Sequence, residues 1–246
     1  MNRLNPHSEL GAVIPDVYLR NLDPQWIQDQ LNTYSVLVFP DQHLTPHSQL
    51  EFAHSLGEVH ENPYLPAVDS DPRISLLHTE PDHARVIGTT WHSDHSYTTE
   101  PPQYTVLSAV QVPPTGGDTQ FASTRVDSRF STDFLKTLAG LRAHHSTGNH
   151  SVYHPVITEH PNTQAQVIYV NPGFVSHFEN STAAASKPML DSIYETITKP
   201  EYTTTVKWQP GMTVIWDNAQ VLHCATADYP GHTRTMYRTM TGRWRP

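Results

Sequence analysis

The sequence predicts a mainly β protein with helices packed outside it, a β-sandwich or jelly roll. Three observations predict it. Short β-branched and aromatic runs recur from residue 104 onward, at 104–112 (YTVLSAVQV), 118–122, 167–170, 203–208, 212–217, 225–227 and 235–241. Helical patterns gather at the start and between those runs. Two stretches carrying metal-ligand side chains, 90–97 (TWHSDHSY) and 211–223 (GMTVIWDNAQVLH), lie far apart in sequence. Strands that line one mouth can bring such stretches together.

Each element has a local cause. Asp23-Pro24 supplies an N-cap and a first-position proline, and Trp26, Ile27, Leu31 and Tyr34 then share a helical face. Residues 36–39 (VLVF) read as a short buried strand. Thr45-Pro46 repeats the start signal, and Leu50, Ala53 and Leu56 form a stripe that ends at Gly57. Residues 62–72, rich in Pro, Asp and Ser, read as loop, 74–77 as strand, and the polar 78–90 as a mobile lead into His92. A helix is expected over 124–141, with Thr132 as a cap inside it and Gly140 at its end. Another is expected over 182–198, burying Leu190, Ile193 and Ile197.

A chain of 246 residues can form one all-β domain, here 1–246, with a substantial core. Its formal charge of -9 argues against nucleic acid or an anionic membrane as partner, so an anion site has to be built from a few placed arginines. One cysteine, Cys224, excludes an internal disulfide and fits a cytoplasmic location; beside His223 it reads as a small core residue. The first residues lack a signal peptide's apolar core, and no apolar run reaches membrane-span length.

His92 and Asp94 stand two apart. In an extended segment their side chains share a face, with His95 turned to the other. With His223 as a third ligand they make two histidines and a carboxylate, the facial set that holds non-haem Fe(II) with open positions. An HxD tripeptide alone is weak in a chain with 17 histidines. The later stretch raises its weight, because His223 is followed by Arg234 and Arg238. Four apart on a strand, these share a face, and arginine suits bidentate carboxylate recognition.

These pieces together resemble the Fe(II)/2-oxoglutarate-dependent dioxygenases that include taurine dioxygenase and the phenoxyacetate-herbicide dioxygenases. The matching stretches are SVLVFPDQHLT, WHSDHSY, PPQYTVLSAVQVPPTGGDTQFAS and WQPGMTVIWDNAQVLHCATADYPGHTRTMYRTM, in order over nearly the whole chain. The resemblance implies a double-stranded β-helix, Fe(II) on His92, Asp94 and His223, and O2 as oxidant. It implies Thr119 and Arg234 on the distal carboxylate of 2-oxoglutarate, and Arg238 on an anionic group of a small substrate. The aspartate at position 94 implies hydroxylation rather than halogenation. The family commonly forms homo-oligomers, so one is open to this chain.

The departures concern the substrate. Asn62 stands where taurine dioxygenase has a substrate-contacting histidine, and Gly88 where it has an asparagine. The segment 148–153 is shorter than in either relative, and Phe174 and Trp216 fall at pocket-wall positions, Trp216 equally at home in a core. The expectation is a dioxygenase hydroxylating a small anionic molecule other than taurine. One alternative is desaturation, cyclisation or oxidative decarboxylation at the same site. The other is a non-catalytic jelly-roll metal- or ligand-binding protein.

Overall fold

A computed structural model of the protein describes residues 2–4, 10–82 and 86–246. Two sheets enclose an apolar core in a jelly roll. The larger runs Val36–Phe39, Thr213–Asp217, Tyr104–Gln111, Arg234–Thr241 and Asp71–Thr79 through its centre, each strand antiparallel to the next. The smaller is Thr203–Val206, Thr119–Ser123 and Val221–Ala225, also antiparallel. Side chains alternate along a strand. Val38, Leu107, Val214 and Met236 therefore face the smaller sheet and meet its Phe121, Val206 and Val221.

Leu37, Phe39, Val106 and Ile215 face the other way, onto two helices. These are α1 (Pro24–Tyr34) and α2 (Pro46–Leu56). Burial on both faces is why VLVF has no polar residue. Both helices start as read. Asp23 accepts from the Gln25 N–H, and Thr45 and Ser48 cap each other reciprocally.

The structure departs from the sequence reading in the middle of the chain. The helix expected over 124–141 shrinks to α3 (Thr132–Leu138), capped by Ser131 rather than Thr132. The residues before it are held by other partners. Thr124 N–H donates to Gln220 O, Val126 N–H to Gln166 O, and Arg129 forks onto Asp127. Such local and cross-chain bonds compete with a helix ladder. The strand expected at 225–227 lies earlier, at Val221–Ala225, so His223 sits within a strand. The strand read at 167–170 is Gln166–Ile168, and 62–72 holds a short strand, Ala67–Val68. Of the mobile stretch expected over 78–90, His78 and Thr79 end the Asp71–Thr79 strand, and 83–85 lie outside the described residues.

A three-stranded sheet was not anticipated: Ser151–Pro155, Arg142–Ser146 and Val175–Phe178. Its central strand, RAHHS, buries Ala143 and His145. A histidine in a core position does not register as hydrophobic patterning. α4 (Ala183–Ile197) lies against this sheet and buries Leu190, Ile193 and Ile197, as expected. Among the described residues no helix is long and apolar enough to cross a membrane.

Candidate active site

His92 and His223 are paired directly. Each N–H donates to the other's carbonyl, at 3.0 and 2.9 Å, in an isolated antiparallel bridge. Residues paired this way put their side chains on one face. The imidazole centroids are accordingly 4.2 Å apart. The chain does not continue extended beyond His92. It turns at Asp94, and that turn delivers the carboxylate. The turn also corrects the position of His95. At φ 50° its ring lines the same cavity as His92 and Asp94 instead of pointing away.

Donor atoms of His92, Asp94 and His223 all lie within 4.8 Å of one another. His92 Nε2 is 3.7 Å from Asp94 Oδ1, and His223 Nε2 is 3.7 Å from Asp94 Oδ2. Both gaps are too wide for hydrogen bonds. They suit donors sharing one cation at roughly 2.1 Å from each. His92 Nδ1 is 2.8 Å from Thr90 O, so Nδ1 carries the proton and Nε2 keeps its lone pair for a metal. Burial lowers the pKa of His92, and that of His223 to about 3, holding both in the neutral, ligating form. Burial alone would raise the pKa of Asp94. The charge of Arg238 is the main influence that outweighs it and holds the carboxyl below its ordinary range. The donor set therefore fits a divalent cation.

Close packing fixes this set. A Cβ on Gly173 would stand 2.9 Å from His92 Cβ, so this backbone approach needs glycine. Phe174 meets His92 edge-on at 6.0 Å, while Phe121 and Trp216 flank His223. Trp216 is 1% exposed and donates through Nε1 to Asn218. It serves as core and as wall together.

Two cavities adjoin the cluster. A narrow one of about 50 Å³ is lined by Thr119, Arg234, Trp216 and His223 among others. Arg234 is buried and donates through Nε to Gly117 O. It forms no ion pair with a carboxylate among the described residues, and burial lowers its pKa. The charge of Asp118 offsets that burial only in part, and a buried cation without a direct partner has room for an anion. The wide cavity, about 580 Å³, is lined by Asn62, Tyr64, Ile87, Tyr97, Phe174, Arg238 and others. Arg238 Nη1 donates to Asp94 Oδ1 at 3.1 Å, so it touches a candidate ligand as well as the cavity. Asn62 is buried and Phe174 partly so, and both face this space. The tight turn at 147–150, which leads into the segment expected to be short, brings Thr147 and Asn149 to its rim. Tyr64, Tyr97 and His95 were missed as wall residues, because lone aromatic residues in loops carry no periodic signal.

Comparison with known proteins agrees with this geometry. The chain is 29% identical to an alkylsulfatase of Acinetobacter baylyi, over 95% of this chain and 82% of that protein. It is 29% identical to an alpha-ketoglutarate-dependent 2,4-dichlorophenoxyacetate dioxygenase of a Burkholderia species, over 80% of this chain and 78% of the other. A crystal structure of a taurine dioxygenase from Burkholderia xenovorans superposes with a TM-score of 0.85 at 29% identity, covering 97% of this chain and 89% of that one. The family model for the taurine catabolism dioxygenase TauD, TfdA family matches residues 3–240, and the chain belongs to that family.

Proposed function

We propose that His92, Asp94 and His223 hold Fe(II), that Arg234 and Thr119 bind the distal carboxylate of 2-oxoglutarate, and that Arg238 faces the anionic group of a substrate the enzyme hydroxylates. The chain is an Fe(II)- and 2-oxoglutarate-dependent dioxygenase, an oxidoreductase. When bound, the iron and 2-oxoglutarate supply O2 activation, with release of succinate and CO2. The protein's share is positioning and exclusion of water. The observation that carries the reading is the open His92–Asp94–His223 cluster beside a buried Arg234 that no carboxylate of the described residues pairs.

The wide cavity supports an anion with an uncharged body. Tyr64, Tyr97, Phe174 and Ile87 offer apolar wall. Among the described lining residues the one carboxylate is Asp94, already engaged by Arg238 and Thr105. A substrate amine would find no counter-charge there. Relatives named for alkyl sulfate and 2,4-dichlorophenoxyacetate chemistry fit this better than taurine does.

The test is an anaerobic titration of apoprotein with Fe(II) and 2-oxoglutarate, following the visible charge-transfer band. The band is expected in the wild type and absent in His92→Ala. No band despite bound iron would overturn the assignment. Succinate release with an alkyl sulfate, a phenoxyacetate and taurine then ranks the substrates, with taurine expected last.

A further inference from the structure

Asp94 is approached from behind by a directed chain of hydrogen bonds. Thr105 lies on the Tyr104–Gln111 strand, fully buried, and Asn218 in the turn after Thr213–Asp217, 1% exposed. Trp216 Nε1 and the Asp94 backbone N–H both reach Asn218 Oδ1, at 3.0 and 3.3 Å. An indole N–H and a backbone N–H can only donate. The atom they meet must be the amide oxygen, which leaves Asn218 Nδ2 facing Thr105 Oγ1 at 2.8 Å. That NH₂ group donates in turn, so the threonine proton has to leave in the other direction. It points at Asp94 Oδ2, also 2.8 Å away. The main chain of Asn218 is fixed as well. Its carbonyl accepts from Ser93 Oγ at 2.8 Å, and its N–H donates to Gln103 O at 2.7 Å.

We infer that Thr105 and Asn218 are positioning residues for the metal centre, a one-way relay from Trp216 through Asn218 and Thr105 that fixes the plane of the Asp94 carboxylate. The inference rests on the assignment of Asp94 as a metal ligand. Each carboxylate oxygen then has one donor, Thr105 on Oδ2 and Arg238 on Oδ1, and keeps lone-pair capacity for a cation. Without the threonine hydroxyl, Oδ2 loses its partner and the Asn218 amide is orphaned in the core. The carboxylate would then be free to rotate towards Arg238.

Mn(II) binding by calorimetry, without 2-oxoglutarate, tests this apart from turnover. Thr105→Val keeps the shape of the side chain and removes the hydroxyl, and Thr105→Ser restores it. Loss of such an outer partner weakens metal binding roughly 10- to 100-fold. Thr105→Val is expected to show that loss and Thr105→Ser to lie near the wild type. Should valine prevent folding, Thr105→Ala against Thr105→Ser gives the same contrast of one hydroxyl. Hydroxyl-free variants that bind Mn(II) like the wild type, whatever their melting temperature, would overturn the relay and leave a purely structural role. Wild-type protein that binds no Mn(II) would remove the metal assignment itself, and the relay with it.

Discussion

Asp94 and Asp217 are both buried beside histidines, yet one cluster is open and the other is closed. His160 Nε2 meets Asp217 Oδ2 at 2.7 Å, with both side chains fully buried. Every remaining group there is used. His160 Nδ1 accepts the N–H groups of Asn162 and Thr163, Asp217 Oδ1 accepts from Ala219, and Gln220 Nε2 adds a second bond to Oδ2. At Asp94 the histidines stand off at 3.7 Å, and their Nε2 atoms are not spent on the carboxylate. A histidine and an aspartate in contact therefore say little by themselves. Chemistry is signalled by what is left unsatisfied, and the two clusters sit on one short stretch, Trp216-Asp217-Asn218, whose side chains serve both.

The comparison breaks most sharply by removing a ligand. His223→Ala is expected to abolish Mn(II) binding and substrate-dependent succinate release while the fold persists, measured by calorimetry and circular dichroism on one preparation. His160→Leu is expected to do the reverse. It removes one of three donors to a buried carboxylate and the acceptor of two backbone N–H groups, costing on the order of 2–4 kcal/mol, or a melting temperature lower by roughly 10 °C for a chain of this size. Mn(II) affinity of the folded protein should stay near the wild type. If His160→Leu lost metal binding without losing stability, the division into an open and a closed cluster would be wrong.

Much of the open cluster was legible in the sequence, and the closed one was not. His92, Asp94 and His223 were named from ligand type and spacing, and Arg234 and Arg238 from sharing a strand face. The three side chains do converge, although for a different local reason than an extended HxD segment. A bridge aligns the two histidines and a turn brings Asp94 in. His160 gave no signal, because its partner lies 57 residues away and the pairing exists only once the 157–168 hairpin is folded. The same holds for Thr105 and Asn218, whose relay spans three separate segments. The fold was read well where apolar runs are buried on both faces, as in VLVF. It failed where the inward positions are histidines, as in RAHHS, or where side chains cap locally, as at Asp127 and Ser131.

The buried arginines sharpen the comparison further. Arg234 resembles the open cluster in having no carboxylate in ion-pair contact among the described residues, whereas Arg238 already has Asp94. Arg234→Ala is expected to weaken 2-oxoglutarate binding by about 2–5 kcal/mol, the range for one half of a desolvated charge pair. Arg238→Ala, which removes a partner of Asp94 but no bond to Gly117, should cost less 2-oxoglutarate affinity than Arg234→Ala and should chiefly impair coupling of succinate release to the main substrate. Equal losses of 2-oxoglutarate affinity in the two variants would contradict this assignment.

The smallest effect concerns another buried histidine, which belongs to neither cluster. His145 is fully buried, stacks on Tyr169 and places Nδ1 3.0 Å from Ser96 Oγ. Its Nε2 is buried with no hydrogen bond among the described residues, and the Tyr169 backbone favours a second proton less than burial opposes it. Burial, with the neighbouring His154, pushes its pKa down to about 3. In the unfolded chain it titrates near 6.5. Because the folded value is the lower one, its contribution is present above pH 6.5. It is lost as the pH falls towards 3, where the unfolded state binds the extra proton. Between pH 7 and pH 5 the loss from this residue amounts to about 2 kcal/mol. Urea midpoints for the wild type and His145→Gln at both pH values isolate it, since the other histidines cancel in the difference. The wild type should lose more stability on acidification than the variant. Equal losses would mean that His145 is protonated within the fold, and that the sheet around Arg142–Ser146 tolerates a buried charge.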